Sequence, residues 1–306
     1  MRIDEILATN RPVFSFEFFP PRTPDGVEAL FDTIATLKPL APSFVSVTYG
    51  AGGATRDGTV ELATTIKREH GLEAMAHLSC VGETAAGLVE ILDRLGAGGI
   101  ENVLALRGDP PRGQPHFERP KGGLESAAEL AAFISERYEF ALGGACFPEV
   151  HPEAESPGAD LAYLKTKVTS GASFLITQLF FDNRVFFEFV EAARATGIDV
   201  PIIPGVIPIT SYAQIVRFCE LCAASIPSAL AEAMEALNGD PRAEAELGIA
   251  YAARQCEELL AGGAPGVHFY TLNRAPATRA VLAALRTARP WERAGAEAAP
   301  ASMGLN

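Results

Sequence analysis

Apolar residues cluster in eight short runs along the chain, and several of these runs alternate apolar and polar side chains. Between the runs lie longer stretches in which apolar residues recur every three or four positions, as in GVEALFDTIATLKPL. The first pattern predicts β-strands and the second predicts amphipathic helices. The predicted strands are Val13–Phe19, Phe44–Gly50, Glu73–Ser79, Glu101–Asp109, Phe140–Phe147, Phe174–Phe181, Pro201–Ile207 and Gly266–Asn273.

The regular alternation of strands and helices predicts right-handed βαβ units and a parallel sheet. In a chain of 306 residues, eight such units favour an α/β fold of the (β/α)8 TIM-barrel class, built as a single domain over residues 1–290. An open, doubly wound sheet is the alternative, but the GxGxxG fingerprint is missing after the first strand. Residues 291–306 have the composition of a disordered C-terminal tail.

Composition narrows the classes of partner. The formal net charge is −13, which disfavours nucleic acids and anionic membranes as partners. The N-terminus has no apolar signal region, and no apolar run approaches the length of a membrane span. The five cysteines do not suggest a disulfide framework, and Cys219 and Cys222 are interpreted as one face of a helix. These features predict a soluble, reduced, cytoplasmic protein.

The first predicted strand carries a carboxylate in apolar surroundings. Phe14, Phe16 and Phe18 fall on one face of this strand, and Ser15 and Glu17 fall on the other. The phenylalanines are expected to pack beneath the outer helices, so Glu17 is expected to point into the barrel mouth. A carboxylate removed from water is costly unless it is paired or neutralised. Glu17 is therefore either a buried structural hydrogen-bonding group or a working acid.

Further polar residues fall near the C-terminal ends of other predicted strands, where barrel enzymes carry their active sites. Each residue alone has a simpler explanation, such as a buried core histidine or a packing tyrosine. Their convergence on one rim favours a functional site. This set comprises Glu17, Thr48, His77, Asp109, Gln178 and Tyr270.

A metal centre and a serine hydrolase are weaker alternatives. Glu149, His151, Glu153 and Glu155 follow the fifth predicted strand and could be ligands. Pro152 interrupts their geometry, however, and no HxH or HExxH spacing occurs, so no metal is predicted. The GxSxG motif of α/β-hydrolases is also missing.

The next predicted helix contains Asp160 and Lys167, which are seven residues apart and share one face. Two explanations remain open for this face. It is either a solvent-exposed stripe of salt bridges, or it lies at the barrel rim, where Lys167 meets the phosphate of an anionic cofactor.

Seven ordered motifs closely resemble the bacterial type of the methylenetetrahydrofolate reductase family. They extend from about Phe14 to Ala275 and read FSFEFFPPR, FVSVTYGAGG, ALRGD, PEVHPEA, ITQLFFD, PGVIPI and HFYTLNRA. The resemblance implies a TIM barrel that binds FAD. It also implies a catalytic module without the C-terminal regulatory domain that eukaryotic relatives carry.

The resemblance implies a ping-pong reaction in which NADH or NADPH reduces FAD, and FAD then reduces 5,10-methylenetetrahydrofolate to 5-methyltetrahydrofolate. Glu17 matches the general acid of the family. Burial among phenylalanines is expected to raise the pKa of Glu17, so that the acid stays protonated near neutral pH. Asp109 matches an aspartate that binds the pterin and tunes the flavin.

The resemblance also assigns contacts. Phe218 is expected to stack in turn on nicotinamide and folate. FAD contacts are implied for Thr48, His77, Arg107, Asp109, Asp160, Lys167 and Ala172. Substrate contacts are implied for Glu17, Gln178, Gln214, Phe218, Tyr270, Leu272 and Arg274.

Two positions depart from the family pattern. Phe147 stands where a tyrosine is expected, and Thr166 stands where a basic residue is expected. Both changes remove polar contacts to FAD, so weaker FAD binding is expected.

The implied partners are small-molecule substrates and further copies of the chain in a homo-oligomer. Two other hypotheses stay open: another barrel flavoenzyme, of the proline dehydrogenase type, and a non-catalytic folate or flavin carrier.

Overall fold

The computed structural model describes residues 1–9, 12–49, 56–109 and 119–292, and nine parallel strands of these residues form one sheet. Neighbours in the sheet follow the order β7-β6-β5-β4-β3-β2-β1-β9-β8. The strands are β1 (Val13–Phe18), β2 (Phe44–Val47), β3 (Ala74–Ser79), β4 (Asn102–Leu106), β5 (Ala141–Cys146), β6 (Ala172–Thr177), β7 (Ile202–Ile203), β8 (Gly205–Val206) and β9 (Gly266–Tyr270).

The two ends of this sheet are parts of one interrupted strand, so the sheet closes into a barrel. Strand β7 pairs with β6, and β8 pairs with β9. We predicted a single strand here, but Pro204 separates the two segments because proline has no backbone N–H for the ladder. The side chain of Thr177 bridges the break, since its Oγ1 accepts a hydrogen bond of 2.9 Å from the Gly205 N–H. The predicted TIM barrel is confirmed, and the open sheet is wrong.

Helices surround the barrel, and several begin at a serine, threonine or aspartate whose side chain caps the first turn. The long segment between β8 and β9 holds three helices, with a turn at Asn238–Gly239 as predicted. The helices are α1 (Ile3–Thr9), α2 (Pro24–Leu37), α3 (Arg56–Glu69), α4 (Ala85–Ala97), α5 (Ala127–Ser135), α6 (Pro157–Thr169), α7 (Asn183–Ala195), α8 (Tyr212–Cys222), α9 (Ser228–Glu235), α10 (Pro241–Ala261) and α11 (Pro276–Ala288).

Helix α1 was not predicted, and it closes the N-terminal end of the barrel. Ile3, Ile6 and Leu7 are buried and join a cluster with barrel-interior side chains such as Phe174. The Ile3 N–H donates to Asn102 Oδ1 over 2.7 Å. Because the described residues fill this end of the barrel interior, a ligand would enter the interior from the C-terminal ends of the strands.

The C-terminal end of the described chain is more ordered than we predicted. Trp291, the first residue of the predicted tail, packs edge-on against Phe14 with a ring-centre distance of 5.8 Å. The rest of that tail, residues 293–306, lies outside the described residues. Throughout the described ranges, each helix is too short or too polar to traverse a lipid bilayer.

Gly143 of β5 faces the packed barrel interior, and Gly143→Ala is expected to lower the free energy of unfolding by about 1–3 kcal/mol. An added Cβ would lie 2.7 Å from the Phe174 ring and 2.8 Å from Leu104 Cδ1. Gly158→Ala on α6 is the matched control, because nothing lies within 4 Å of its added Cβ. Urea denaturation of both variants tests this prediction. Equal stability of the two would contradict the tight interior packing.

Candidate functional site

A cavity of about 770 Å³ opens at the C-terminal ends of the strands, as predicted. It has the size of a cofactor or ligand pocket. Most of the residues that we predicted for the site line this cavity. They are Glu17, Thr48, His77, Arg107, Asp109, Asp160, Lys167, Gln178, Phe218, Tyr270 and Leu272.

Three predicted site residues do not line the cavity. Ala172 begins β6 and therefore lies at the opposite end of the barrel, where it is buried against Leu142. The expected FAD contact of Ala172 is wrong. Ala172 follows the C-terminal end of α6, and this end of the helix lies away from the cavity rim. Gln214 is exposed on α8 one turn before Phe218, and Arg274 is exposed beyond β9.

Glu17 lies deep in the cavity between two imidazoles. Strand alternation places it on the inner face, and about a fifth of its side chain is exposed. Its Oε2 lies 3.4 Å from His268 Nε2 and 3.6 Å from His77 Nε2. On the far side of the His268 ring, Nδ1 lies 2.7 Å from Ser15 Oγ. The carboxylate that the sequence placed among phenylalanines is therefore set in a polar cluster inside the barrel.

The imidazoles reverse the pKa shift that we expected for Glu17. Burial raises the pKa of this carboxyl, but the hydrogen bond from His268 and the proximity of the two imidazoles outweigh it. The net pKa of Glu17 is lowered, so the group is ionised at neutral pH. The prediction of a raised pKa was wrong, because it considered burial without these two partners. Burial lowers the pKa of His77 to about 4.

The wall beside Glu17 is formed by residues just beyond the strand ends. Gln178, predicted within a strand, is the first residue after β6, and its Oε1 accepts from the Leu179 N–H over 2.8 Å. The Tyr270 hydroxyl donates to the Thr177 carbonyl over 2.6 Å. Phe218 on α8 adds an aromatic surface that is only partly buried. Polar and flat apolar groups thus face the space above the carboxylate.

The rim on the α6 side carries two cations. Lys167 is buried, and its Nζ donates to the Ala145 carbonyl over 2.5 Å. Burial lowers the pKa of Lys167. Arg107 forms a two-pronged ion pair with Glu153, which raises the pKa of Arg107. The alternative of a solvent-exposed salt-bridge stripe is wrong, because Lys167 points into the cavity.

The loop after β5 is held by Asp160. Its Oδ2 accepts from the His151 N–H over 3.0 Å. The His151 ring packs edge-on against Phe147 at a ring-centre distance of 4.5 Å, so Phe147 offers an apolar surface where a hydroxyl was expected. Thr166 is exposed and donates to the Ala162 carbonyl on its own helix, which places it away from the cavity.

The candidate metal ligands do not converge. Glu149 accepts hydrogen bonds from Ser225, and Glu153 pairs with Arg107. Among the residues that the structure describes, no three His, Cys, Asp or Glu side chains are grouped to hold a metal ion.

Tyr163 and His268 are among the residues of the site that were missed. Tyr163 lines the cavity with its ring 5.2 Å from Lys167 Nζ, and it is 39% exposed. Its position four residues before Lys167 on one helix was a usable signal. His268 lies two residues before Tyr270 on β9, but its contact with Glu17 could not be inferred from spacing.

The family model described as methylenetetrahydrofolate reductase matches residues 2–286. The chain belongs to this family. It is 40% identical to methylenetetrahydrofolate reductase (NADH) 1 of Arabidopsis thaliana over 283 residues, covering 89% of this chain and 48% of the relative. It is also 40% identical to 5,10-methylenetetrahydrofolate reductase of Pectobacterium carotovorum subsp. carotovorum, covering 87% of this chain and 88% of the relative. The chain thus spans about half the length of the plant relative.

A solved structure shares the fold of this methylenetetrahydrofolate reductase family member. It is an uncharacterized protein from Clostridium thermocellum, described as binding two copies of 5-methyl-5,6,7,8-tetrahydrofolic acid. The TM-score is 0.61 at 16% sequence identity, with 94% of this chain and 98% of that chain covered. This similarity supports the barrel architecture.

The cavity of this family member fits the flavin that the sequence resemblance implies. Within the described chain, His77 Nε2 and Ser46 Oγ are buried without a hydrogen-bond partner. His77 lines the cavity, so its unpaired nitrogen can meet a polar ligand. Lys167 supplies positive charge at the rim for a phosphate group, and Arg107 lies on the same side, paired with Glu153. An unpaired polar atom in the interior and a buried lysine at the rim are groups that an anionic cofactor with a polar ring would need, and the implied flavin has both features.

Proposed function

We propose that the chain is a flavin-dependent reductase that converts 5,10-methylenetetrahydrofolate to 5-methyltetrahydrofolate with NADH or NADPH as electron donor. Family membership supports the substrate class. The observation that carries the mechanism is the Glu17 carboxylate on the cavity floor, 3.4 Å from His268 Nε2 and partly open to the space above. FAD, when bound, supplies the hydride carrier between the two substrates.

Glu17 is proposed to protonate the aniline nitrogen of the folate as its five-membered ring opens. Such general-acid assistance is worth about 10²–10⁴ in rate. The acid needs a proton, yet the carboxyl has a lowered pKa. Ligands that fill the cavity exclude water from the exposed fifth of the side chain. Because burial is the strongest influence on this group, further desolvation raises its pKa towards the protonated form.

The other cavity residues are proposed to orient the two substrates in turn. Gln178 offers its side-chain N–H groups to the pterin, because its Oε1 is already engaged by the Leu179 N–H. Phe218 and Leu272 present apolar surfaces for a flat ring. Asp109, three residues after β4, is exposed and can accept hydrogen bonds from pterin N–H groups.

The cofactor end of the site gives a direct binding prediction. Lys167→Met is expected to weaken FAD binding about 10- to 100-fold, since a charge-assisted hydrogen bond contributes about 1.5–3 kcal/mol. Lys165→Met is the matched control, because Lys165 lies on the same helix, is exposed and donates to the Thr196 carbonyl. Titration of flavin fluorescence measures both affinities. Equal FAD affinities of the two variants would contradict the placement of the diphosphate.

Two other functions make different predictions. A proline dehydrogenase-type enzyme needs a cation for an amino-acid carboxylate and has no need of an acid at Glu17. The family match disfavours it. A non-catalytic carrier would bind folate without turnover. The neighbour described as binding 5-methyltetrahydrofolate keeps that hypothesis open, although its 16% identity supports only the shared fold.

A turnover assay separates these functions. The protein with FAD, methylenetetrahydrofolate and either NADH or NADPH is expected to form 5-methyltetrahydrofolate catalytically. A comparison of turnover with the two donors determines which nucleotide is preferred. The names of two plant relatives include NADH, which favours NADH as the donor. Folate binding without product would support the carrier and contradict the reductase. A homo-oligomeric assembly and a cytoplasmic location stay predictions.

A further inference from the structure

The turn after β9 is tied to the end of β1 by side chains. The β1–β9 ladder ends with the pair Glu17 and Tyr270. Beyond it, the Phe19 N–H donates to Asn273 Oδ1 over 3.0 Å, and Asn273 Nδ2 donates to the Phe19 carbonyl over 2.8 Å. One amide therefore pairs with both backbone groups of Phe19, as a neighbouring strand would.

Thr271 secures the same segment one step earlier. Its hydroxyl donates to the Glu17 carbonyl over 2.6 Å and accepts from the Asn273 N–H over 3.1 Å. Thr33 of α2 adds a hydrogen bond of 3.2 Å to the Asn273 carbonyl. The backbone on both sides of residue 18 is thus fixed by the turn after β9.

The turn adopts an unfavourable backbone to do this. Leu272 and Asn273 have φ angles of +51° and +57°, in the left-handed region that non-glycine residues rarely occupy. Asparagine tolerates this region, whereas leucine does so at a cost. Strain of this kind persists where the surrounding structure requires it, often at functional sites. Here it turns the Asn273 amide back to β1, and the Leu272 side chain lines the cavity.

The end of β1 depends on these side-chain hydrogen bonds, because the two residues that follow Phe19 are prolines. Pro20 and Pro21 come directly after Phe19, and neither has an N–H to donate to a neighbouring strand. Phe19 itself is 45% exposed at the cavity rim. Without the ties from Thr271 and Asn273, the segment that carries Glu17 would lose its last backbone anchors on the β9 side.

We propose that Thr271 and Asn273 are positioning residues that hold Glu17 at the correct distance from the folate nitrogen. This inference rests on the proposed function and extends it to residues that touch neither substrate nor cofactor. Proton transfer needs the donor within about 2.6–3.2 Å of its acceptor. A misplacement of about 1 Å can cost about 100-fold in rate. Loss of the ties should therefore slow the folate step far more than reduction of the cofactor.

Asn273→Gly tests this inference cleanly, because glycine accepts the positive φ and removes only the side-chain ties. Asn238→Gly is the matched control, since Asn238 has a φ of +51° in an exposed turn away from the cavity. Rapid-mixing experiments should show a 10- to 100-fold slower folate half-reaction for Asn273→Gly, with flavin reduction by NADH and FAD affinity within about threefold of wild type. The control should match wild type in all three.

A second pair separates positioning from folding. Thr271→Val removes the hydroxyl at nearly constant shape and should also slow the folate step, whereas Thr271→Ser keeps the hydroxyl and should restore it. Equal loss in both half-reactions, or an unchanged folate step in a folded Asn273→Gly protein, would overturn the positioning role. A wild-type protein that reduces no folate would instead overturn the proposed function, and this inference with it.

Discussion

Glu17→Gln is expected to slow the folate half-reaction by at least about 100-fold while leaving reduction of the flavin by NADH within a few fold of wild type. Glutamine keeps the size of the side chain but cannot donate the proton of a carboxylic acid. The folate ring would then open without assistance, whereas hydride transfer from the nicotinamide requires no acid. Stopped-flow absorbance of the two half-reactions measures each effect separately.

Glu90→Gln is the control for this prediction. Glu90 is exposed on α4, outside the cavity, so both half-reactions should match wild type. Full folate turnover by Glu17→Gln would remove Glu17 from the proton transfer. Loss of flavin reduction in the same variant would point to damaged cofactor binding instead.

The ligand-free protein is expected to lose about 3 kcal/mol of unfolding free energy on acidification from pH 7 to pH 4 through His77 alone. Burial lowers the pKa of His77 from 6.5 to about 4, so between these values the unfolded chain binds a proton that the folded chain does not. Stability therefore falls as the pH falls through this window. The pKa of Glu17 is also lowered in the folded chain. At still lower pH the unfolded chain therefore binds a proton at Glu17 before the folded chain does, and the free energy of unfolding falls further.

His77→Gln should flatten this pH dependence, because it removes the titrating group. His70→Gln is the matched control: His70 is half-buried, and its ring stacks on Phe31 outside the cavity. Urea denaturation between pH 4 and pH 8 gives the slope for each protein. An unchanged slope in His77→Gln would show that the imidazole is not held neutral by burial.

Local sequence patterns were sufficient to predict the barrel and the direction of Glu17. Alternation along β1 separated the buried phenylalanine face from the face that carries Ser15 and Glu17, and this separation depends on neighbouring residues only. The seventh strand was predicted at the correct place. The break at Pro204 could have been predicted, because proline has no backbone N–H for the ladder. The place of Tyr163 in the site could also have been predicted from its position four residues before Lys167 on α6.

The remaining differences depend on contacts between distant parts of the chain. The pKa of Glu17 is set by His77 and His268, which reach it from β3 and β9, so composition near Glu17 predicted the wrong direction. The ties from Asn273 to Phe19 join residues 254 positions apart. Ala172 was assigned through its closeness in sequence to α6, yet the turn after that helix carries it to the other end of the barrel.

One cavity is proposed to pass electrons from a nicotinamide nucleotide to methylenetetrahydrofolate through a bound flavin. An anaerobic visible spectrum of the purified protein, recorded through successive additions of NADH and methylenetetrahydrofolate, examines both transfers in one experiment. We expect a flavin band that bleaches with NADH and returns with the folate. A band that bleaches but is not restored by the folate would contradict the proposed substrate, and a protein that binds no added FAD would contradict the cofactor.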